Sequence, residues 1–328
     1  QVAGAADPIA AMQEWLAELQ DTHTWVRPAQ ALGQLPYEAR LGPERAELIA
    51  VAPGSPAWEA GARPGDRLLD IDCAGWWRRT AATPRARPLV AGRRALSGEI
   101  GALRELTARS PAGRVSRWRE RIPAQPWQQP VAWSALPDQI GYLQLRAWAG
   151  GADLESAIDA ALGDFTAFER LIVDLRGNGG GNMTLAQRFR DRFLRGPAVL
   201  GAIRYSAGHR RLTPPEPLLG EPAEDSRRWP GRVRFLTDAL TYSASEDALL
   251  GLQGLSHVEV LGTASGGGSG RCRILRLLPG WNLTISTALT YDRQGRCIEG
   301  AGIPVDRRIA AAPPGAPDAV LEAARRDW

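Results

Sequence analysis

Ser243 stands where turn-forming polar residues give way to an apolar helical pattern, in LTYSASEDALLG at residues 240 to 251. Ser243 and Glu246 have the S-x-x-E spacing of a capping box, which predicts that Ser243 caps a helix. A cap is compatible with a nucleophile, because a serine at a helix start places neighbouring N–H groups where negative charge is welcome. Nucleophilic catalysis then requires a base and an oxyanion site from elsewhere in the chain.

A glycine-rich turn follows the predicted strand RLIVDLRG and precedes a helical pattern; we call GNGGGN, residues 177–182, the glycine loop. Nucleotide binding is not favoured, because the chain has no G-x-x-x-x-G-K-[ST] motif and Asn182 replaces the third glycine of G-x-G-x-x-G. Glycines instead let backbone N–H groups approach an oxyanion. The alternative is a tight turn that only packs helix on strand.

Three histidines are the candidates for a base. His23 lies in DTHT at the end of a predicted helix, where its local pattern alone indicates a helix-dipole partner or a core residue. His209 lies in a loop rich in arginine and proline, and His257 precedes a strand, so both are predicted to be surface residues. Glu299, in CIEGAGIPVD, is either an ordinary turn carboxylate or a partner for the base. The chain contains no lysine, so lysine is excluded as a base.

The composition describes a globular chain of 328 residues, with 44% hydrophobic residues, which is long enough for two or three domains. A net charge of +4, with basic residues scattered among acidic ones, does not favour nucleic acid binding. No apolar run is long enough to span a membrane.

The three cysteines, Cys73, Cys272 and Cys297, match no metal-ligand spacing, and we predict neither a metal nor a cofactor. At most one disulfide can form. If two cysteines pair, we expect Cys272 and Cys297, since both lie in a predicted strand-rich region; three buried free thiols are the alternative.

The pattern along the chain predicts how these residues are positioned. An apolar period of helical type covers residues 8 to 21, and short strands and turns follow with a short helix near 56–60. The Pro/Gln-rich segment 122–130 is predicted to be a linker or an extended crossing strand. Strand and helix signals then alternate, which is typical of an α/β layer structure, with a late hairpin turning at Pro279-Gly280 and a closing helix after Pro317-Asp318. The predicted domains are a helical segment carrying His23 (1–36), a β-rich module (37–122) and an α/β core (123–328).

Taken together, VDLRGNGGG, TYSASEDAL and IEGAGIPVD resemble three signature segments of one family of serine peptidases. The family comprises C-terminal processing peptidases, tricorn protease cores and interphotoreceptor retinoid-binding proteins. AVAPGSPAWEAGARPGDRLLDID resembles the PDZ-like module of these proteases, and GYLQLRAW resembles the strand that opens their core. The resemblance implies an α/β (α+β) core similar to the ClpP/crotonase-like spiral, with an N-terminal helical segment and an inserted PDZ-like module.

The resemblance implies a role for several residues. It makes Ser243 the nucleophile and the Ala244 N–H one oxyanion donor, with a second donor from Gly180 or, alternatively, Gly179. Members that use a Ser-Lys dyad carry a lysine in the segment that corresponds to LGTASGGGSG, at Gly268. Because the chain has no lysine, that dyad is excluded.

The tricorn-like branch uses a histidine from a segment similar to D-x-H-T and a glutamate from one similar to I-E-G-x-G. By this resemblance His23 is the base, and Glu299 supports it directly or through a hydroxyl. Thr22 occupies the place of the hydroxyl residue before the histidine, and Thr24 is the other candidate for that relay.

The implied function is a serine endopeptidase that acts on a peptide or protein substrate through an acyl-enzyme. The alternative is a non-catalytic member of the same fold that binds apolar ligands or peptides. The PDZ-like module is expected to bind an extended peptide by strand addition, although RLGPERAEL around Leu41-Gly42 is a poor match to a carboxylate-binding loop. The resemblance also favours an extracytoplasmic location, which a removed leader would fit.

Overall fold

A computed structural model describes residues 7–328 and divides them into two compact units. The first unit contains the described part of Gln1–Gln128, with Cys272–Ser286 and Ala312–Pro317. The second unit contains Gln129–Arg271, Thr287–Ala311 and Asp318–Trp328. The change of unit after Gln128 falls inside the Pro/Gln-rich segment 122–130, whereas nothing in the sequence indicates that residues 272–286 belong to the first unit.

The described residues form short helices and many short strands. The helices are α1 (Pro8–Ala17), α2 (Pro56–Glu59), α3 (Cys73–Arg79), α4 (Arg87–Ala95), α5 (Ala152–Asp164), α6 (Met183–Asp191), α7 (Ala244–Leu249) and α8 (Ala319–Arg325), with a 3₁₀ turn at Asp225–Arg227. The strands up to residue 145 are β1 (Trp25–Pro28), β2 (Leu32–Gln34), β3 (Tyr37–Leu41), β4 (Ala46–Val51), β5 (Arg67–Leu68), β6 (Ser97–Glu99), β7 (Leu103–Arg109), β8 (Val115–Arg121), β9 (Val131–Leu136) and β10 (Ile140–Leu145). The later strands are β11 (Arg170–Asp174), β12 (Ala198–Tyr205), β13 (Glu216–Gly220), β14 (Arg232–Thr237), β15 (Val258–Gly262), β16 (Arg273–Leu278), β17 (Trp281–Ile285), β18 (Ala288–Asp292) and β19 (Arg307–Arg308).

In the first unit, helix α1 leads into a three-stranded sheet of order β1-β17-β16. Asp7 caps the helix by accepting the N–H groups of Ile9 and Ala10. The helix ends at Ala17, earlier than the predicted residue 21, and Leu19 is consequently exposed. The predicted hairpin turn is confirmed: Gly280, with φ of +78°, lies between β16 and β17.

The PDZ-like part of the first unit is an antiparallel sheet of order β3-β4-β5-β7-β8 around a core that includes Tyr37 and Trp118. A tight turn joins β3 to β4, with the Gly42 N–H donating to the Arg45 carbonyl oxygen at 2.8 Å. That N–H is therefore already bonded within the turn, in agreement with the poor match of this segment to a carboxylate-binding loop. Helix α4 packs directly on β3.

The second unit is built on a six-stranded sheet of order β19-β15-β14-β11-β10-β9. Strands β10, β11, β14, β15 and β19 run parallel, and β9 is an antiparallel edge strand. The central strands are buried; β14 is RVRFLT, with all but its first residue inside. A smaller antiparallel sheet of order β13-β12-β18 completes the unit. This is a mixed α/β architecture, as the alternating pattern predicted.

The parallel sheet places the loops that follow its strands at one edge. The glycine loop follows β11, the segment containing Ser243 follows β14, and residues 263–270 follow β15. Ligand and catalytic groups in such sheets collect at the carboxyl ends of the strands. Within the described residues, no helix has the length and apolarity to cross a bilayer.

Of the two alternatives for the cysteines, the free thiols are observed, but their predicted burial is wrong. All three cysteines are free, Cys272 is exposed, and Cys73 and Cys297 are half-buried. Cys272 and Cys297 were grouped because both lie near late strands, but each is partly accessible instead of filling a core.

Candidate active site

Asn178 holds the glycine loop against the segment that carries Ser243. The Asn178 side chain is fully buried; its Nδ2 donates to the Leu145 carbonyl oxygen at 3.0 Å, and its Oδ1 accepts the Gly180 N–H at 3.0 Å. Its backbone carbonyl accepts the N–H of Tyr242 and the hydroxyl of Ser245, both at 3.0 Å. The glycine loop is thereby fixed to the end of β10 and to the segment that carries Ser243.

Ser243 precedes helix α7 as its N-cap residue, as predicted, and has an unusual backbone conformation. Its φ is +57° and its ψ is −123°, a combination that residues with a side chain rarely adopt. Its neighbours Tyr242 and Ala244 are buried, but Ser243 itself is only half-buried. Strained backbone of this kind clusters at functional sites, where the surrounding structure enforces it.

Gly180 lies directly against this serine. A Cβ placed on Gly180, whose φ is +106°, would lie 2.7 Å from the Ser243 Cβ and 3.1 Å from the Ala244 nitrogen. Ala244 is the first residue of α7, so its N–H has no acceptor within the helix. The Gly180 N–H donates to Asn178, whereas the Gly179 N–H has no hydrogen-bond partner among residues 7–328. The predicted nucleophile and the predicted oxyanion donors are thus adjacent.

Glu246 is a fully buried carboxylate that links Ser243 to the SGGGSG segment, residues 265–270. Its Oε2 accepts the N–H groups of Ser243 at 3.1 Å and Gly268 at 2.7 Å. Its Oε1 accepts the Ser265 hydroxyl at 2.5 Å and the Gly267 N–H at 2.8 Å. Burial raises the pKa of Glu246 to about 7 in spite of these hydrogen bonds, which lower it.

Glu299 also accepts a hydrogen bond from the SGGGSG segment. Its Oε1 accepts the N–H of Ser269 at 3.2 Å and that of Thr290 at 3.3 Å. The next residue, Gly300, donates its N–H to the Gly267 carbonyl oxygen at 2.8 Å. The backbone N–H groups of Ser243 and Gly300 therefore both bond to the SGGGSG segment, at Gly268 and Gly267.

Tyr242 explains why residue 268 is glycine. A Cβ on Gly268 would lie 1.9 Å from the Tyr242 hydroxyl oxygen, and one on Gly266 would lie 2.4 Å from the same ring. The Gly268 carbonyl oxygen accepts the Ser243 N–H at 3.0 Å. The position that carries lysine in the Ser-Lys branch is thus next to the serine here, but the tyrosine occupies the space that a side chain would need.

His23 belongs to the first unit, in a turn of residues 21–24 that we call the His23 turn. The Asp21 carboxylate accepts the His23 N–H at 3.0 Å, the Thr24 hydroxyl at 2.6 Å and the Ser286 hydroxyl at 2.7 Å. The Thr24 Oγ1 also accepts the Ser286 N–H at 3.2 Å. Besides one backbone bond, from the Thr24 N–H to the Asp21 carbonyl oxygen at 3.1 Å, the turn is held by side-chain hydroxyls and one carboxylate.

The side chains of the His23 turn differ in how burial affects them and in their hydrogen bonds. Burial lowers the pKa of His23, because it disfavours the charged imidazolium, while the charge of Asp21 acts in the opposite direction. The Thr22 Oγ1 is buried without a hydrogen-bond partner among the described residues, whereas the Thr24 hydroxyl is bonded to Asp21. The imidazole is consequently neutral at lower pH than an exposed histidine.

The two other histidines are in positions unsuited to serve Ser243. His257 bonds to the Phe193 carbonyl oxygen at 2.8 Å and precedes β15, at the amino ends of the parallel strands, whereas Ser243 follows their carboxyl ends. His209 is exposed in the loop after β12. In residues 7–328, no group of three or more His, Cys, Asp or Glu side chains is arranged to hold a metal ion.

Two family profiles match the chain. A profile of peptidase family S41 matches residues 139–309, and a PDZ-domain profile matches residues 48–72. The chain belongs to peptidase family S41, and its class is that of a serine-type peptidase. A search of curated proteins finds no match.

Solved structures show the same fold. A putative peptidase from Parabacteroides merdae is 32% identical with a TM-score of 0.54; the match covers 60% of this chain and 63% of that one. The photosystem II D1 C-terminal processing protease is 19% identical, with a TM-score of 0.59 over 97% of this chain and 85% of that one. Mature CPAF is 14% identical, with a TM-score of 0.66 over 92% of this chain and 82% of that one. At the identities of the last two, the likeness concerns the fold.

Three residues that organise the site were not identified as such from the sequence: Asn178, Glu246 and Asp21. Glu246 was assigned to a capping box, and its bond to the Ser243 N–H confirms that part of the box. The bonds to residues 265–268 come from a segment distant in sequence, for which only the glycine-rich composition gave a signal. Asp21 has no signal in the sequence beyond its place as the first residue of DTHT.

Proposed function

We propose that this protein is an endopeptidase that cleaves peptide bonds through an acyl-enzyme on Ser243, with His23 as the base. Glu299 supports the imidazole through Thr22, and the oxyanion hole consists of the Ala244 N–H with Gly180 or Gly179. The observation that carries the proposal is the positive-φ conformation of Ser243, held against Gly180 and the Ala244 N–H.

The second unit supplies the groups that the acyl transfer needs. The Ser243 Oγ attacks the scissile carbonyl carbon, and the negative charge that develops on the carbonyl oxygen faces the Ala244 N–H. For the second donor, the Gly179 N–H has no partner among the described residues, whereas a Gly180 donor would have to share its bond to Asn178. The structure thus supports Gly179 at least as well as Gly180.

The first unit supplies the proposed base. A neutral imidazole removes the Ser243 proton and delivers it to the leaving amine as the C–N bond breaks; it then activates the water that hydrolyses the ester. The lowered pKa of His23 keeps the ring neutral near pH 7. As a relay hydroxyl, Thr22 is better supported than Thr24, because the Thr24 hydroxyl is already bonded to Asp21.

The test is covalent labelling by a fluorophosphonate, detected by intact mass. We expect the wild type to gain one adduct, and Ser243→Ala and His23→Ala to gain none at the same reagent concentration and time. Matched controls are Ser226→Ala and His209→Ala, which change an exposed serine and an exposed histidine and should label like the wild type.

Other outcomes would reject parts of the proposal. A folded wild type that takes no label would favour the non-catalytic alternative, a member of the fold that binds apolar ligands or peptides. Labelling that survives in His23→Ala at the wild-type rate would retain Ser243 but remove His23 as its base.

A further inference from the structure

The hydrogen bonds of Glu246 exceed what a helix cap requires. A capping-box glutamate satisfies one N–H, that of the N-cap residue, which here is Ser243. Glu246 also accepts the N–H groups of Gly267 and Gly268 and the hydroxyl of Ser265. Since the side chain is fully buried, these four donors replace the water that would otherwise solvate the carboxylate.

We propose that Glu246 is a positioning residue of the peptidase, whose carboxylate ties the SGGGSG segment to the backbone of Ser243 and so holds the nucleophile in its reactive conformation. The inference rests on the proposed function, because it assigns a role in the reaction of Ser243. Glu246 does not touch the reacting atoms; it acts through the Ser243 N–H and the segment beside it.

The hydrogen bonds around the Glu246 carboxylate are connected to one another through Ser243 and Gly268. The Ser243 N–H lies between Glu246 Oε2, at 3.1 Å, and the Gly268 carbonyl oxygen, at 3.0 Å. Gly268 in turn donates its own N–H to the same Oε2 at 2.7 Å. A change at the carboxylate therefore reaches Ser243 by two routes, directly and through Gly268.

The same set extends toward Glu299. The Ser265 Oγ, bonded to Glu246 at 2.5 Å, also accepts the Ile303 N–H at 2.6 Å. Ser269, at the end of the segment, donates its N–H to Glu299 at 3.2 Å. Glu246 thus binds the segment at residues 265–268 and Glu299 binds it at Ser269, so the position of the segment beside Ser243 depends on both carboxylates.

Glu246→Gln tests the role with a change of one atom. The amide nitrogen of glutamine cannot accept a hydrogen bond. If the nitrogen takes the Oε2 position, it faces two N–H donors. If it takes the Oε1 position, it faces one N–H donor, because Ser265 can turn its hydroxyl to accept from the amide. In either orientation the side chain loses at least one hydrogen bond, while its volume is unchanged. The variant therefore perturbs the position of Ser243 while the core stays filled.

The readout is the kinetics of fluorophosphonate labelling of the full chain over a range of reagent concentrations. We expect Glu246→Gln to label completely, with the limiting rate constant reduced by about tenfold or more and the half-saturating reagent concentration changed by less than about twofold. Glu259→Gln, which changes a carboxylate on β15 that pairs with Arg234 and Arg307, is the matched control and should label at the wild-type rate.

Two results would overturn the proposal. One is a limiting rate constant in Glu246→Gln equal to that of Glu259→Gln. The other is a variant that labels a smaller fraction of molecules at an unchanged rate, which is the behaviour of a residue that affects folding alone. If Glu246→Gln does not fold, Ser265→Ala decides, because it removes one donor to the carboxylate; a rate constant within about twofold of the wild type would then reject the role.

Failure of the underlying function is recognised separately. If the wild type does not label, the peptidase proposal fails before any variant is compared. If the wild type labels and Ser243→Ala does not, the nucleophile is established, and the rate constants of Glu246→Gln and Ser265→Ala report on Glu246 alone.

Discussion

Two carboxylates, Asp21 in the first unit and Glu246 in the second, organise the residues for which we propose chemistry, and they do so with different donors. Glu246 is fully buried and accepts three backbone N–H groups and one hydroxyl. Asp21 is half-buried and accepts one backbone N–H and two hydroxyls. A backbone N–H donor persists when the side chain of its own residue is changed to any residue except proline, whereas a hydroxyl donor is removed with its side chain.

This difference in hydrogen-bond donors predicts how substitutions in each region affect activity. Around Ser243 the backbone approaches so closely that Gly180 and Gly268 have no room for a Cβ, so substitutions there act by displacing the chain. Around His23, single side-chain bonds can be removed while the remaining ones persist. We therefore expect abrupt losses of activity in the second unit and graded ones in the first.

The largest expected effect is that of Gly180→Ala. The new methyl group would lie 2.7 Å from the Ser243 Cβ, and alanine disfavours the φ of +106°. We expect the fluorophosphonate labelling rate to fall by about a hundredfold or more, as for the loss of an oxyanion donor. Gly196→Ala is the control, because a Cβ there meets no atom within 4 Å and the residue has no positive φ. Equal labelling rates in the two variants would remove the glycine loop from the site.

A smaller effect is expected for Asp21→Ala. The substitution removes the acceptor for the His23 N–H and for the hydroxyls of Thr24 and Ser286. We expect labelling to slow by about tenfold, with a loss of unfolding free energy of about 1–3 kcal/mol. Labelling rates and thermal denaturation, compared with the exposed control Asp70→Ala, check both values.

Thr24→Val removes only part of the hydrogen bonding that Asp21→Ala removes. The variant keeps the Asp21 bonds to His23 and Ser286, so we expect a loss smaller than that of Asp21→Ala. Because Thr24→Val also removes the bonds of the Thr24 hydroxyl to Asp21 and Ser286, Thr22→Val decides the relay: a Thr22→Val variant that labels at the wild-type rate would remove Thr22 from it.

The comparison also explains how much of the site could be predicted from the sequence. Ser243 at a helix start, the glycine loop after β11 and the alternation of strands and helices are local patterns, and the structure confirms each. Helix α1 was predicted too long because Leu19 continues the apolar period, although it is exposed. The cysteines were predicted to be buried from the general preference of the residue type.

The proposed role of Glu246 could not be predicted from the sequence, because the capping-box spacing already gave a reason for a glutamate at this position. The S-x-x-E spacing explains one of its four hydrogen bonds, and the others come from residues 265–268 through the packing of β14 beside β15. The absence of lysine at position 268 could be seen, but its physical reason, the hydroxyl of Tyr242, requires the folded backbone.

The smallest expected effect is a shift in pH dependence, and it separates the two regions by their titrations. Burial lowers the pKa of His23 below its ordinary 6.5, so a His23 base alone places the acid limb of labelling below pH 6.5. Glu246, with a pKa of about 7, must be ionised to accept all four donors, which places a second limb near pH 7. Asp247 with Arg271, Tyr242 and Glu299 are the other charged or titratable groups around the SGGGSG segment.

The pH dependence of labelling in the variants assigns each limb to a residue. We expect the wild-type labelling rate to fall as pH decreases through about 7, and Glu246→Gln to keep only the lower limb, at a reduced maximum. Stability should move in the opposite direction: between pH 7 and 4.5 the folded chain retains the Glu246 proton that the unfolded chain releases, so this residue makes the fold more stable as pH falls. Asp21→Ala should instead move the lower limb further toward acid, because the Asp21 charge raises the pKa of His23. An upper limb that persists in Glu246→Gln would assign that titration to another group and separate the position of Ser243 from the charge of Glu246.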